Sequence, residues 1–177
     1  MTRLLDYAPA LETLRKTTGV VIPVFVPPTT DVSFAQQMIV ETAGAFAGVV
    51  GDPARVCLSV DGSPGGLAAA REAAARLGVR VTHDDVNRGK FFALRRGMTL
   101  LLEDPAVTCL AAADQDGDHF ANELVNLVRA ARYTAETSGV SAVVVIGQRL
   151  SRHHPMGLLR AELEELADRV LLEALRY

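Results

Sequence analysis

The sequence predicts an α/β fold, a three-layer sandwich in which helices cover both faces of a mostly parallel sheet. Short apolar runs bounded by turn residues alternate with stretches of helical periodicity, and no repeat or low-complexity block interrupts them. The run Val107 to Ala113 passes directly into an acidic one, ADQDGDHFANE from Ala113 to Glu123, which sets carboxylates at the mouth of a buried strand.

The N-terminal stretch MTRLLDYAPALETLRKTTG carries Asp6 and Glu12 and lacks both a long apolar core and a small-residue cleavage site, so residues 1–18 read as a helix and not a signal peptide. Val20 to Val26 reads as the first strand; Pro27, Pro28, Thr29 and Thr30 break it before an Ala-rich helix from Val32 to Ala47. Arg55 to Val60 is the second strand, followed by the turn Asp61 to Gly66 and a helix from Leu67 to Leu77. Val79 to Thr82 makes a third strand, and the loop His83 to Gly89 leads into a helix from Phe91 to Leu102. After the strand Val107 to Ala113 come a helix from Asn122 to Thr137 and an apolar strand from Ala142 to Gly147. Leu158 to Leu166 and Val170 to Leu175 read as helix with an apolar stripe, on which Glu162, Glu164, Glu165, Asp168 and Glu173 make the solvated face. The expected organisation is an N-terminal helix (1–18), an α/β domain (19–149) and a helical segment (150–177).

The chain has 177 residues, about one domain, with 49% hydrophobic and 22% charged residues, the composition of a soluble globular protein. A net charge of -3 gives no electrostatic case for nucleic acid. Runs such as Gly19 to Val26 and Val143 to Gly147 fall far short of the roughly 18–20 residues that cross a bilayer, so no transmembrane segment is expected. Cys57 and Cys109 each lie inside a predicted strand and read as buried thiols. A cytoplasmic setting is the default.

Strands of a parallel sheet end on one edge, so four loops converge there: Pro23 to Thr29, Asp61 to Gly66, Asn87 to Lys90 and Asp114 to His119. Asp61-Gly62-Ser63 read alone is a common turn and helix N-cap, in which the carboxylate can also accept from a base or ribose. Asn87-Arg88-Gly89-Lys90 opens a helix with two cations suited to phosphate, although it is not a P-loop and, read singly, is a solvated loop. Asp114 and Asp116 repel each other unless a cation or proton intervenes, and oxygen-only ligands favour Mg²⁺ or Mn²⁺. Asp118 and His119 are further metal candidates, with a hydrogen-bonded loop histidine as the blander role for His119. His153 and His154 read as a surface loop.

Taken in order, Ile22-Pro23-Val24-Phe25, then Leu58-Ser59-Val60-Asp61-Gly62-Ser63, Asn87-x-Gly89-Lys90, Asp114-Gln115-Asp116 and Gly147-Gln148-Arg149 resemble the family 2 glycosyltransferases, which use nucleotide sugars on a Rossmann-like GT-A fold. The resemblance spans Gly19 to Arg149. It implies donor contacts from Pro23, Phe25, Asp61, Lys90, Asp114 and Arg149, and a metal on Asp116. The family's N-x-G-K-x-x-A-L-N-x-G stretch is matched by Asn87, Gly89, Lys90, Ala93, Leu94 and Gly97, with Arg95 at the Asn position. Val26 and Val60 stand where the family has Asn and Asp. The continuation through Asp118, His119, Phe120 and Glu123 is similar to the acidic segment of the polyprenyl-phosphate sugar transferases.

Inverting members of that family also use a carboxylate base downstream of the G-x-R strand. The 28 residues after Arg149 hold no Q-x-x-R-W-like motif, so the acceptor half is expected to be absent and the acceptor base unassigned. The function that follows is a glycosyltransferase dependent on Mn²⁺ or Mg²⁺, or its donor-binding half, acting from a nucleotide-diphosphate sugar to an acceptor the sequence leaves open. Two alternatives stand beside it: a non-catalytic member that binds nucleotide or a partner, and a nucleotidyltransferase-like α/β enzyme. The apolar C-terminal helix is a candidate surface for homo-oligomers.

Overall fold

The computed structural model describes residues 7–147 and 157–174. In chain order the elements are α1 (Tyr7–Thr17), β1 (Thr18–Val24), α2 (Val32–Val50), β2 (Val56–Asp61), α3 (Pro64–Leu77), β3 (Arg80–Asp84), α4 (Lys90–Leu101), β4 (Cys109–Ala112), α5 (Leu124–Ser138) and α6 (Gly157–Ala174). The four strands form one all-parallel sheet in the order β3-β2-β1-β4. Helices pack on both of its faces.

Successive strand residues point to opposite faces, and here both faces are covered, which is why the strands read as unbroken apolar runs. Val20, Ile22 and Val24 of β1 and Val56, Leu58 and Val60 of β2 enter one core with α1, α2, α3 and α5. Val21 and Cys57 point the other way, against Leu101 of α4 and its neighbours Leu94 and Met98. Ile22 and Leu58 are fully buried, and each contributes roughly 1.5–3 kcal/mol relative to an exposed side chain.

Helix α4 lies very close to the sheet. A Cβ on Gly97 would stand 2.5 Å from Val21 Cγ1, so only glycine permits this approach. Ser59 Oγ, buried in β2, donates to the Ala93 carbonyl at 2.7 Å and fixes the helix along its axis. The first residue of α4, Lys90, borders the same cleft as Pro23 and Val24 of β1 and Asp61 of β2.

Most expected elements form, with ends moved by a few residues: β1 begins at Thr18, α2 continues to Val50, and β3 runs from Arg80 to Asp84. The expected strand from Ala142 to Gly147 does not form; residues 142–147 have no regular structure, and Val144 is 69% exposed. A strand of a parallel sheet is covered on both faces, and the exposure of Val144 shows that this run lacks such cover. The C-terminal helix forms as α6, with Leu163, Leu166 and Val170 exposed along it. Cys57 is a buried free thiol whose desolvation pushes its pKa up to about 11, and Cys109 is a free, partly buried one. Among the described residues no helix is long and apolar enough to cross a membrane.

Candidate functional site

The carboxyl end of β1 is fastened from both sides by side chains. Ser63, the N-cap of α3, accepts from the Val26 amide at 3.0 Å and donates to the Val26 carbonyl at 2.8 Å, while also accepting from the Gly66 amide. Gln115 does the same for the preceding residue: its Oε1 accepts from the Phe25 amide at 2.9 Å and its Nε2 donates to the Phe25 carbonyl at 2.7 Å. Backbone groups past the end of the strand thus find partners without a further strand. Pro23 and Phe25 are set in place at the mouth of the site.

Asp61 ends β2 and is 4% exposed. Its carboxylate accepts from the Arg88 amide at 3.0 Å and the Gly89 amide at 2.6 Å, so it holds the loop before α4. Gly62 makes this possible. It has φ +60°, and a Cβ there would stand 2.2 Å from the Asn87 nitrogen, so the two loops touch backbone to backbone.

The two cations of that loop part company. Arg88 turns to Asp84, Nε to Oδ2 at 3.1 Å. Lys90 turns into the site, where its Nζ lies 2.5 Å from Asp114 Oδ1. On the other side of Asp114, His119 Nε2 lies 3.6 Å from Oδ2. Asp114 is therefore flanked by His119 and Lys90, which hold its carboxyl well below the usual carboxylate range, while the Asp114 carboxylate raises the pKa of His119. Asp116 is exposed and accepts one bond, from the Asp118 amide at 3.2 Å.

These groups border one cleft of about 360 Å³, lined by Pro23, Val24, Phe25, Asp61, Asn87, Gly89, Lys90, Ala93, Asp114, Gln115 and Asp116. Its size lies in the range of small-ligand sites, about 300–1,000 Å³. Of the side chains singled out in the sequence, Pro23, Phe25, Asp61, Lys90, Asp114 and Asp116 come together here. His119 backs Asp114 from outside, and Asp118 supports Asp116 through its amide. Arg149, His153 and His154 lie outside the described residues.

Among the described residues no group of three or more His, Cys, Asp and Glu side chains stands ready to cage a metal. The donors fit a different kind of site. A hard cation such as Mg²⁺ is commonly held by one or two carboxylates and completed by ligand phosphates and water, and Asp116 offers a largely uncommitted carboxylate on the cleft.

Gln115 and Thr42 carry no sequence signal for the roles they take, and Ser63, legible as a helix N-cap, carries none for its grip on Val26. The Gln115 side chain reaches a backbone 90 residues away, and Thr42 Oγ1 donates to the Gln115 carbonyl from α2 at 3.3 Å. The only hint was position, a polar residue between two carboxylates. No family model, curated protein or solved structure matches the chain.

Proposed function

We propose that this chain binds a nucleotide-diphosphate sugar and forms the donor-binding part of a glycosyltransferase of the GT-A type, similar to family 2. The observation that supports the reading is convergence. The ends of β1 and β2 and the loops after β3 and β4 bring an apolar wall, a fixed amide loop, one ammonium and three carboxylates to a single cleft at the carboxyl edge of a parallel sheet, the edge where open α/β sheets bind ligands.

Each side chain has a task in that reading. Lys90 exchanges Asp114 for a diphosphate oxygen, and the start of α4 behind it adds the positive end of a helix dipole. Asp114 holds the ammonium over the cleft until the donor arrives. Asp61 keeps the Arg88 and Gly89 amides in the position that aims Lys90. Phe25 and Pro23 give the nucleoside an apolar surface. Asp116 would hold a divalent ion, Mn²⁺ or Mg²⁺, which would supply countercharge for a departing diphosphate.

One observation favours a second reading, a nucleotide binder without turnover: Asp114 is already neutralised by Lys90 at 2.5 Å, which leaves Asp116 as the main carboxylate for a cation. Thermal shift with a panel of nucleoside diphosphates and their sugars, with and without Mn²⁺, separates the two. A ligand that binds only the folded state raises the melting temperature. Glycosyl transfer requires a metal-dependent shift that Asp116→Asn abolishes, together with slow hydrolysis of one sugar donor. Binding with no hydrolysis supports the second reading, and no shift with any nucleotide overturns both.

A further inference from the structure

We infer that Gln115 is the positioning residue of the acidic loop, holding Asp114 and Asp116 at the spacing a single cation and diphosphate require. The inference rests on the reading of the cleft given above. Three bonds converge on this one residue. Both ends of its carboxamide are used on the backbone of Phe25, at 2.9 and 2.7 Å, and its own carbonyl accepts from Thr42 on α2. The loop is thus tied at its middle to β1 and to α2. Its neighbours on either side are the two carboxylates, each one peptide unit away.

At position 115 the clip needs a side chain that both reaches Phe25 and carries a donor and an acceptor. Phe25 presents one donor and one acceptor, and a carboxamide answers both. A carboxylate of the same length answers only the donor and sets negative charge against the Phe25 carbonyl. A threonine or serine is too short to reach both groups. Gly117 and Asp118 are exposed and the Asp118 amide steadies the Asp116 carboxylate locally; the fastening at Gln115 adds the anchor that ties the backbone carrying Asp116 to the β1 side of the cleft, opposite Lys90.

The test uses inorganic pyrophosphate as the probe, titrated calorimetrically into the full chain with and without Mn²⁺. Gln115→Ala and Gln115→Glu are both made, so that a folding failure in one leaves the other, and circular dichroism checks each. Groups that support a metal ligand from behind typically change metal affinity by about 10–100-fold; we expect the Mn²⁺-dependent affinity to fall by at least about tenfold in both variants. Metal-free pyrophosphate binding, which depends on Lys90, should change by less than about threefold. A purely structural role for Gln115 lowers the two affinities together, and that outcome overturns the inference, as does an unchanged Mn²⁺-dependent affinity. If the unaltered protein shows no Mn²⁺-dependent binding while pyrophosphate alone binds, the reading of Asp116 as a metal ligand fails and this inference with it.

Discussion

Lys90 and Asp114 meet at 2.5 Å across the cleft, one from the first residue of α4 and the other from the exit of β4. Both are partly solvated, with side chains 57% and 37% exposed, so the pair stabilises the fold by no more than about 1 kcal/mol. Its value lies in holding a cation where a diphosphate can take it. Lys90→Ala should therefore leave the melting temperature nearly unchanged and weaken diphosphate binding by about tenfold or more, the loss of one charge-assisted hydrogen bond. Calorimetry with a nucleoside diphosphate beside a thermal melt measures both, and a large stability loss with intact affinity contradicts the assignment.

The same carboxylate faces His119, and the two titrations bracket a pH window. His119 has its pKa raised above the ordinary 6.5, mainly by Asp114, so its contribution to stability is complete below that value and is lost as pH rises through the higher folded-state value. Asp114 has its pKa lowered from 3.8, first by His119 and then by Lys90, so its contribution is present above 3.8 and fades as pH falls towards the depressed value. The pair therefore stabilises most between about pH 4 and 6.5. Thermal melts of the protein and of His119→Gln should differ more at pH 5.5 than at pH 8.5, and the difference should shrink in high salt because both groups are half exposed. Equal differences at the two pH values would remove the ion pair from the account.

Gly62 offers a test of the contact between loops. An alanine there meets the Asn87 backbone nitrogen at 2.2 Å and must adopt φ +60°, a strained conformation costing roughly 1–3 kcal/mol. Because the neighbour is backbone and cannot rotate away, the Asn87 loop must move, carrying Lys90 with it. Gly62→Ala is expected to lower both the melting temperature and diphosphate affinity. Gly44→Ala, whose new Cβ would make only ordinary contact with Leu77 at 3.7 Å, is the control that should lower neither.

What could be read in advance and what could not follows from where the information sits. The four strand exits were legible because each strand is a local apolar run and parallel topology alone sends their ends to one edge; Asp61, Lys90, Asp114 and Asp116 border one cleft there. The run from Ala142 to Gly147 has the same local pattern but forms no strand, since pairing depends on cover that a window of sequence does not contain. Arg88 and Lys90 are two residues apart and chemically alike, yet one turns to Asp84 and the other to Asp114. That choice is made by β3 and β4, elements on opposite edges of the sheet. The grips of Ser63 on Val26 and Gln115 on Phe25 span 37 and 90 residues, and nothing in their own neighbourhoods announces them.

Asp61 poses the sharpest question, because a carboxylate at the end of β2 can act on the ligand or through the loop. Its oxygens accept from the Arg88 and Gly89 amides, the shorter bond being 2.6 Å, and the residue is almost wholly buried. Asn in its place offers one acceptor and turns an NH₂ towards an amide N–H, leaving a buried donor without a partner at a cost of about 1–3 kcal/mol. The loop then releases Lys90 from its aim. If Asp61 works in this way, Asp61→Asn weakens inorganic pyrophosphate and a nucleoside diphosphate by the same factor, since both ligands need Lys90. If instead it recognises a base or ribose, only the nucleoside diphosphate suffers. Parallel titrations of the two ligands decide between them, and the geometry predicts equal losses.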